Sequence, residues 1–130
     1  MLLVIAILLF KDKPTAATLS ASSNGLPETQ LDRALAENRP TLAFFHSNNC
    51  QQCIVMMDVV ARVYPDFEHS VILVDVNVYE EANQPLLRRV RLQFIPTLIF
   101  YDRSGEAQTH IGVMAPDQLS AMLTALAEGD

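Results

Sequence analysis

Thr41-Leu-Ala-Phe-Phe-His-Ser-Asn-Asn-Cys-Gln-Gln-Cys53 is the stretch around which the whole chain is organised. Its apolar run 41–45, bounded by a proline and a polar tetrad, predicts a buried β-strand. Apolar side chains recur at helical spacing after Cys53, so both cysteines fall where a strand turns into a helix. The unpaired N–H groups and positive dipole end of a first helical turn favour a thiolate. We therefore expect Cys50 to be the exposed, reactive thiol and Cys53, one turn further in, to be the buried one.

Length, charge and cysteine count limit the classes of function. A chain of 130 residues is long enough for one domain with a sizeable core. The net charge of −6, with nine basic residues that form no run, argues against a nucleic-acid partner. The two cysteines are the only ones in the sequence, which excludes a disulfide framework and a four-cysteine zinc site. Dithiol chemistry needs no cofactor and no metal, and none is expected.

The N-terminal residues differ in character from the rest of the chain. Residues 1–10 are apolar without a break, whereas a membrane-spanning helix needs about 20 such residues. The segment is nearer in length to the apolar part of a signal peptide, but the lysines at 11 and 13 follow it instead of preceding it. A start site placed too far downstream, or a trimmed N-terminus, would explain both defects, and a buried first strand is the alternative.

Residues 11–26, rich in Thr, Ala and Ser, predict a flexible linker, and residues 27–130 are expected to form the domain. Residues 1–10 are then a signal or a membrane anchor. We expect an anchored or exported domain on the outer side of the membrane. The two lysines favour the cytoplasmic side instead, so a domain on the cytoplasmic face of the membrane is the alternative.

The remaining patterns predict the order α, β, α, β, α, β, β, α. The predicted elements besides the central strand and the cysteine helix are a helix over 27–38, a strand buried on both faces over 71–78, a helix over 80–90, a hairpin with arms 94–101 and 106–113, and a helix over 116–127. Pro85 lies inside the third helix and implies either a kink or a late start.

Four motifs in this order carry a family resemblance. They are Cys50-Gln51-Gln52-Cys53 after the strand, Ile95-Pro96-Thr97 before the hairpin, the turn 102–106, and Gly112 before the last helix. Over residues 27–128 the chain resembles the thioredoxin superfamily. The resemblance implies an α/β thioredoxin fold, with a central mixed sheet of four or five strands and helices on both faces. It also implies a cis Ile95–Pro96 bond beside the cysteines, where the backbone of Ile95 would pair with an extended substrate segment.

The resemblance implies a thiol-disulfide oxidoreductase acting on protein thiols and disulfides. Cys50 would attack, a mixed disulfide would form, and Cys53 would resolve it. The direction of electron flow stays open, and one such pair per domain is expected to work in a monomer. Two alternatives are a carrier of a soft ion such as Cu(I), bound by Cys50 and Cys53 with His46 as an optional third ligand, and a redox-inert adaptor. Pro96 argues against the carrier, and the retention of both cysteines argues against the adaptor.

The chain departs from the family pattern where protons are transferred. The usual Trp-Cys-Gly-Pro-Cys is here Asn49-Cys-Gln-Gln-Cys53, and the carboxylate that many thioredoxins use as proton acceptor falls at Phe44. We expect that carboxylate to have moved to Asp75, beneath the cysteines, where desolvation would suit it as a proton shuttle for Cys53. A solvent-facing Asp75 is the alternative. His46 is expected to stabilise the thiolate or relay protons, and its alternative is a polar residue in the loop.

Overall fold

The helices and strands follow one another in the predicted order. The computed structural model of the protein describes residues 25–129, so the predicted segment 1–10 and most of the predicted linker lie outside the described residues. The elements are α1 (Pro27–Ala36), β1 (Thr41–His46), α2 (Gln51–Val63), β2 (Ile72–Asn77), α3 (Gln84–Arg89), β3 (Thr97–Tyr101), β4 (Ala107–Ile111) and α4 (Pro116–Glu128), with 3₁₀ turns at Tyr64–Phe67 and Glu81–Asn83. No helix within residues 25–129 is long and apolar enough to cross a membrane.

The sheet is mixed, and β1 occupies an inner position. Its strand order is β2-β1-β3-β4, which gives four strands within the described residues. β1 runs parallel to β2, with Phe44 opposite Asp75, and antiparallel to β3, with Phe45 opposite Thr97. β3 and β4 form the predicted antiparallel hairpin. This four-stranded α/β arrangement is the one that the resemblance implied.

Helices cover both faces of β1. All six residues of the strand are buried, as a continuous apolar run predicts for a strand between two helical layers. Leu42 and Phe44 pack with α2 and α4 on one face, whereas Ala43 and Phe45 pack with α1 and α3 on the other. His46 lies two residues beyond Phe44 and therefore falls on the α2 face, which is also the face of the cysteine helix.

β2 does not have the two buried faces that its β-branched sequence predicted. Val74 and Val76 are fully buried on the α1 and α3 face. On the other face Leu73 is only half-buried and Asp75 is exposed. The reason is that β2 is an edge strand, where the helices of the α2 face cover the sheet incompletely. The prediction is therefore wrong for one face of this strand.

The helix and strand boundaries follow from local backbone chemistry. α3 starts late, because Pro85 occupies its first turn and a separate 3₁₀ turn precedes it. α1 ends at Ala36, two residues before the predicted end, and Asn38 then adopts a positive φ of 56°. β3 begins only at Thr97, after the proline that has no N–H to donate to a ladder.

Candidate active site

The two cysteines lie at the N-terminus of α2, with different exposures. Cys50 is the N-cap residue, and its Sγ accepts a hydrogen bond from the backbone N–H of Cys53 at 3.1 Å. Both are free thiols; Cys50 is half-buried and Cys53 is fully buried. The expected order of exposure is therefore confirmed. An incoming substrate sulfur can reach Cys50 first, at the helix end where backbone donors favour negative charge.

The thiol of Cys53 is difficult to ionise. Burial and the hydrogen bond with Cys50 raise the pKa of Cys53 to about 11, although a hydrogen bond with the Ser47 backbone acts in the opposite direction. At pH 7 only about one molecule in ten thousand then carries a Cys53 thiolate. Because the thiolate is the nucleophile, a resolving attack by Cys53 requires a nearby group that takes its proton.

The Ile95–Pro96 motif lies at the same end of the sheet as the cysteines. Since Phe45 pairs with Thr97, the residue before Thr97 is level with the end of β1, from which the chain runs directly to Cys50. The Ile95–Pro96 bond is cis, as the resemblance implied, and Pro96 is buried. The loop is closed by the Thr97 hydroxyl, which donates to the Phe94 carbonyl at 2.6 Å.

Exposed apolar side chains occur in the segments next to the cysteines and to Pro96, and we call this set the apolar rim. We define it by five exposed side chains that are close in sequence to the cysteines, to Pro96 or to the end of β4: Ile54, Val55, Phe94, Ile111 and Val113. Phe94 is 59% exposed. The exposure of these side chains was not predicted from the sequence. Its signal was available in Ile54-Val55, two adjacent apolar residues on a helix whose buried stripe already consists of Met56, Val59, Val60 and Val63.

The structure brings His46 and Asp75 together. His46 is the last residue of β1, is only 6% exposed, and lies with its ring 4.6 Å from that of Phe44. Its Nε2 is hydrogen-bonded to the Asp75 carboxylate. His46 is therefore a buried strand residue and not a residue of the polar loop. Its Nδ1 is also buried and has no hydrogen-bond partner among the described residues.

Asp75 does not occupy the environment expected for it. Its side chain is 63% exposed, so the expected desolvation beneath the cysteines is absent. The edge position of β2 explains the difference, because no helix covers this end of the strand on that face. The carboxylate instead lies in an open groove of about 670 Å³, whose lining also includes His46, Asn48, Met57 and Glu80.

A protein site for a metal ion usually needs several donor side chains in one place. Within residues 25–129 no group of three or more His, Cys, Asp or Glu side chains is placed to hold a metal ion. The copper-carrier alternative named Cys50 and Cys53 as ligands, with His46 as an optional third.

Sequence comparisons find a matching family model and two similar proteins. A family model described as a thioredoxin-like domain matches residues 27–127. The thiol:disulfide interchange protein TxlA of Synechococcus elongatus is 27% identical over 129 residues, covering 98% of this chain and 67% of that protein. A thioredoxin of Mycoplasmoides gallisepticum is 26% identical over 97 residues, covering 74% of this chain and 93% of that protein.

Solved structures share the fold at lower sequence identity. Chloroplastic thioredoxin z superposes with a TM-score of 0.66 at 20% identity, covering 78% of this chain and 90% of that chain. The structure of MTB dsbF, in mixed oxidised and reduced forms, superposes with a TM-score of 0.64 at 19% identity, covering 72% and 84% of the two chains. These similarities support the arrangement of the sheet and helices described above.

Proposed function

The chain belongs to the thioredoxin-like family, and we propose that it is a thiol-disulfide oxidoreductase that exchanges a Cys50–Cys53 dithiol with protein thiols and disulfides. One observation carries the proposal. Cys50 lies accessible at the N-cap of α2, hydrogen-bonded by the N–H of Cys53, and the buried Cys53 lies one turn behind it. The names of the two sequence relatives support the same chemistry.

The dithiol and the substrate disulfide together supply all the electrons and sulfur atoms that the reaction needs. The Cys50 thiolate attacks a substrate disulfide, forms a mixed disulfide, and releases one substrate sulfur, which takes up a proton. Cys53 then loses its proton and attacks the Cys50 sulfur, so that the second substrate sulfur leaves. Two electrons have moved from the dithiol to the substrate. The reverse sequence oxidises a substrate dithiol, and the reduction potential of the pair selects the direction.

The backbone of Ile95 supports a binding mode for an extended substrate segment. Neither its N–H nor its C=O hydrogen-bonds to another backbone group within the described residues. Pro96, by contrast, is fixed, because its carbonyl accepts from the Gly112 N–H at 2.8 Å. A substrate segment next to Ile95 would gain backbone hydrogen bonds by strand addition and would lie beside the apolar rim. Ile95 and Pro96 are therefore the proposed substrate-binding residues.

The roles of the two cysteines are tested by trapping. We expect Cys53→Ser to accumulate a mixed disulfide with a small disulfide-containing protein such as insulin, because the resolving sulfur is missing. Cys50→Ser should accumulate little, because the remaining thiol is buried. The double serine variant is the matched control, since the chain has no other cysteine. Equal trapping by both single variants would contradict the assigned order, and no trapping by either would favour a redox-inert adaptor.

We also propose that residues 1–10 attach the domain to a membrane or direct its export. The proposal is supported by the uninterrupted apolar sequence of this segment and by the Thr-, Ala- and Ser-rich stretch that follows it. Fractionation of cells that express the whole chain, followed by protease treatment from each side of the membrane, would test it. Recovery of all the protein in the soluble cytoplasmic fraction would contradict it.

A further inference from the structure

Resolution of the mixed disulfide leaves a proton without an obvious acceptor. Cys53 is fully buried, and its thiol must lose a proton before it can attack. The strand position at which related proteins were expected to carry a carboxylate is Phe44, which packs into the apolar core. Phenylalanine cannot accept a proton. The acceptor must therefore come from another side chain near the sulfur.

We propose that His46 accepts the Cys53 proton at Nδ1 and that Asp75 holds the imidazole in the required tautomer and connects it to solvent. This inference rests on the proposed oxidoreductase function and assigns its proton path. Asp75, expected from the sequence to be the shuttle itself, becomes a positioning residue, and His46 becomes the group that moves the proton.

The hydrogen bond between His46 and Asp75 fixes the tautomer. An ionised carboxylate only accepts hydrogen bonds, so the Nε2 that faces Asp75 carries the hydrogen. A neutral imidazole with hydrogen on Nε2 has its basic lone pair on Nδ1. That Nδ1 is the buried nitrogen without a partner. An unpaired buried acceptor is costly in a resting structure and is explained if its partner arrives during the reaction.

The sulfur of Cys53 lies next to the peptide that links His46 to the following residue. Its partner there is the backbone of Ser47, directly after His46 in the chain. The His46 ring is on the same face of the sheet as α2, which carries Cys53. The Cys53 sulfur and the His46 ring thus belong to neighbouring parts of the structure on one face of the sheet, and the proton crosses to Nδ1 either directly, as Cys53 turns toward Cys50, or through one water molecule.

The groove gives the pair its connection to bulk water. His46 forms part of the groove wall, and the exposed Asp75 carboxylate lies in its opening. The titratable side chains that line the groove with His46 are Asp75 from β2 and Glu80 across the groove, and Cys53 lies beside the Ser47 backbone. Among the residues that the structure describes, no lysine or arginine lines the groove. The charged side chains of the groove lining within residues 25–129 are thus the carboxylates of Asp75 and Glu80.

Each step balances. The Cys53 S–H bond breaks and its proton goes to Nδ1, while the sulfur's electron pair forms the bond to the Cys50 sulfur. The bond between Cys50 and the substrate sulfur breaks, and the substrate leaves as a thiolate that takes a proton from water. The imidazolium remains paired with Asp75 until it loses its proton to groove water or returns it to Cys53 when the disulfide is reduced again.

The test isolates the resolving step. Reaction of the reduced protein with dithiobis(nitrobenzoate) places thionitrobenzoate on Cys50, and attack by Cys53 then releases it with a change in absorbance. His46→Gln keeps an amide N–H that can reach Asp75 but removes the base. We expect its resolution rate at pH 7 to fall about 100-fold, within the usual contribution of general acid–base catalysis. His69→Gln, at a histidine whose side chain is exposed and far along the chain, is the matched control and should change nothing.

The pH profile separates a proton acceptor from a structural residue. The wild-type resolution rate should change little between pH 7 and 9, because imidazole is the side chain that exchanges protons near neutral pH. The His46→Gln rate should rise about tenfold per pH unit as hydroxide generates the Cys53 thiolate, so that the deficit of about 100-fold at pH 7 closes near pH 9. The first attack on the reagent by Cys50 should be equal in both proteins. Parallel pH profiles would overturn the assignment of His46.

Asp75→Asn is a second test variant for the case in which His46→Gln, which changes a buried side chain, does not fold. Its side chain is exposed, so the fold should tolerate the change. We expect a loss of about tenfold in resolution at pH 7, because an asparagine no longer selects the tautomer with a free Nδ1. An unchanged rate would overturn the role of Asp75. Failure of the wild-type protein itself to release thionitrobenzoate would instead contradict the proposed function.

Discussion

Substitution of Cys53 by alanine should remove a measurable part of the pH dependence of folding. Burial and Cys50 raise the pKa of Cys53 from its ordinary value of 9.0 to about 11. A group whose pKa is raised by folding stabilises the protein fully below the unfolded value, and this stability is lost as the pH rises through the folded value. The window for Cys53 therefore runs from about pH 9 to pH 11.

The size of the effect follows from these two pKa values. Two pKa units correspond to about 2.7 kcal/mol when the loss is complete. Between pH 8 and pH 10 the wild-type protein should lose about 1.3 kcal/mol more than Cys53→Ala. Burial raises the pKa of Tyr64 and Tyr101 as well, so both proteins will lose stability over this range. Only the difference between the two proteins reports Cys53.

The assay is equilibrium unfolding in urea at pH 8 and pH 10, with a phosphine reductant to keep the thiols free. Far-UV circular dichroism is the suitable signal, because the chain has no tryptophan. The constant cost of the alanine substitution cancels when each protein is compared with itself at the two pH values. An identical loss of stability in both proteins would refute the reasoning that Cys53 is held in its protonated form.

Three further substitutions probe the fold and the substrate surface. Phe45→Ala in the fully buried centre of β1 should lower the free energy of unfolding, measured in urea, by about 3–5 kcal/mol. Tyr79→Ala on the surface should change it little, and equal losses in the two variants would contradict the core assignment. Gly112→Ala should cost about 1 kcal/mol through its φ of +100° alone, since an added Cβ meets no atom within 4 Å; an unchanged midpoint would contradict this. Phe94→Ser should raise the KM for insulin several-fold but leave the rate with dithiobis(nitrobenzoate) unchanged, and a loss with both would place Phe94 in the chemistry.

The features that the sequence predicted well are those set by local patterns. The strand and helix around the cysteines were predicted because a short apolar run bounded by Pro40 and a polar tetrad favours a strand, and apolar residues at a 3.6-residue period favour a helix. The relative exposure of Cys50 and Cys53 followed from one turn of helix. The late start of α3 followed from Pro85, which suits a first helical turn and disrupts a later one.

The features that the sequence could not supply depend on the register between distant strands. His46 and Asp75 are 29 residues apart, and their contact exists because β1 and β2 pair with Phe44 opposite Asp75. The exposure of Asp75 depends on β2 being an edge strand, which its β-branched composition does not reveal. Both residues were identified as candidates, but their roles could be separated only after the pairing was known.

The apolar rim was missed for a different physical reason. Hydrophobic periodicity assigns apolar side chains to the core, whereas Ile54, Val55 and Phe94 are exposed at the end of the sheet that carries the cysteines. A solvent-exposed apolar cluster next to a reactive thiol is the kind of surface that a protein substrate can cover. Periodicity alone gives no indication of such a surface.

The most direct test of the central claim is an equilibrium redox titration of Cys50 and Cys53 against glutathione, on the domain from residue 27 onward. The free thiols are trapped with an alkylating reagent, and mass spectrometry then gives the fraction of oxidised protein at each ratio of reduced to oxidised glutathione. We predict that both thiols disappear together with a two-electron dependence, in which a tenfold change in the equilibrium constant corresponds to about 30 mV. Formation of only mixed disulfides with glutathione, with no intramolecular disulfide at any ratio, would contradict the claim that the two cysteines act as one redox pair.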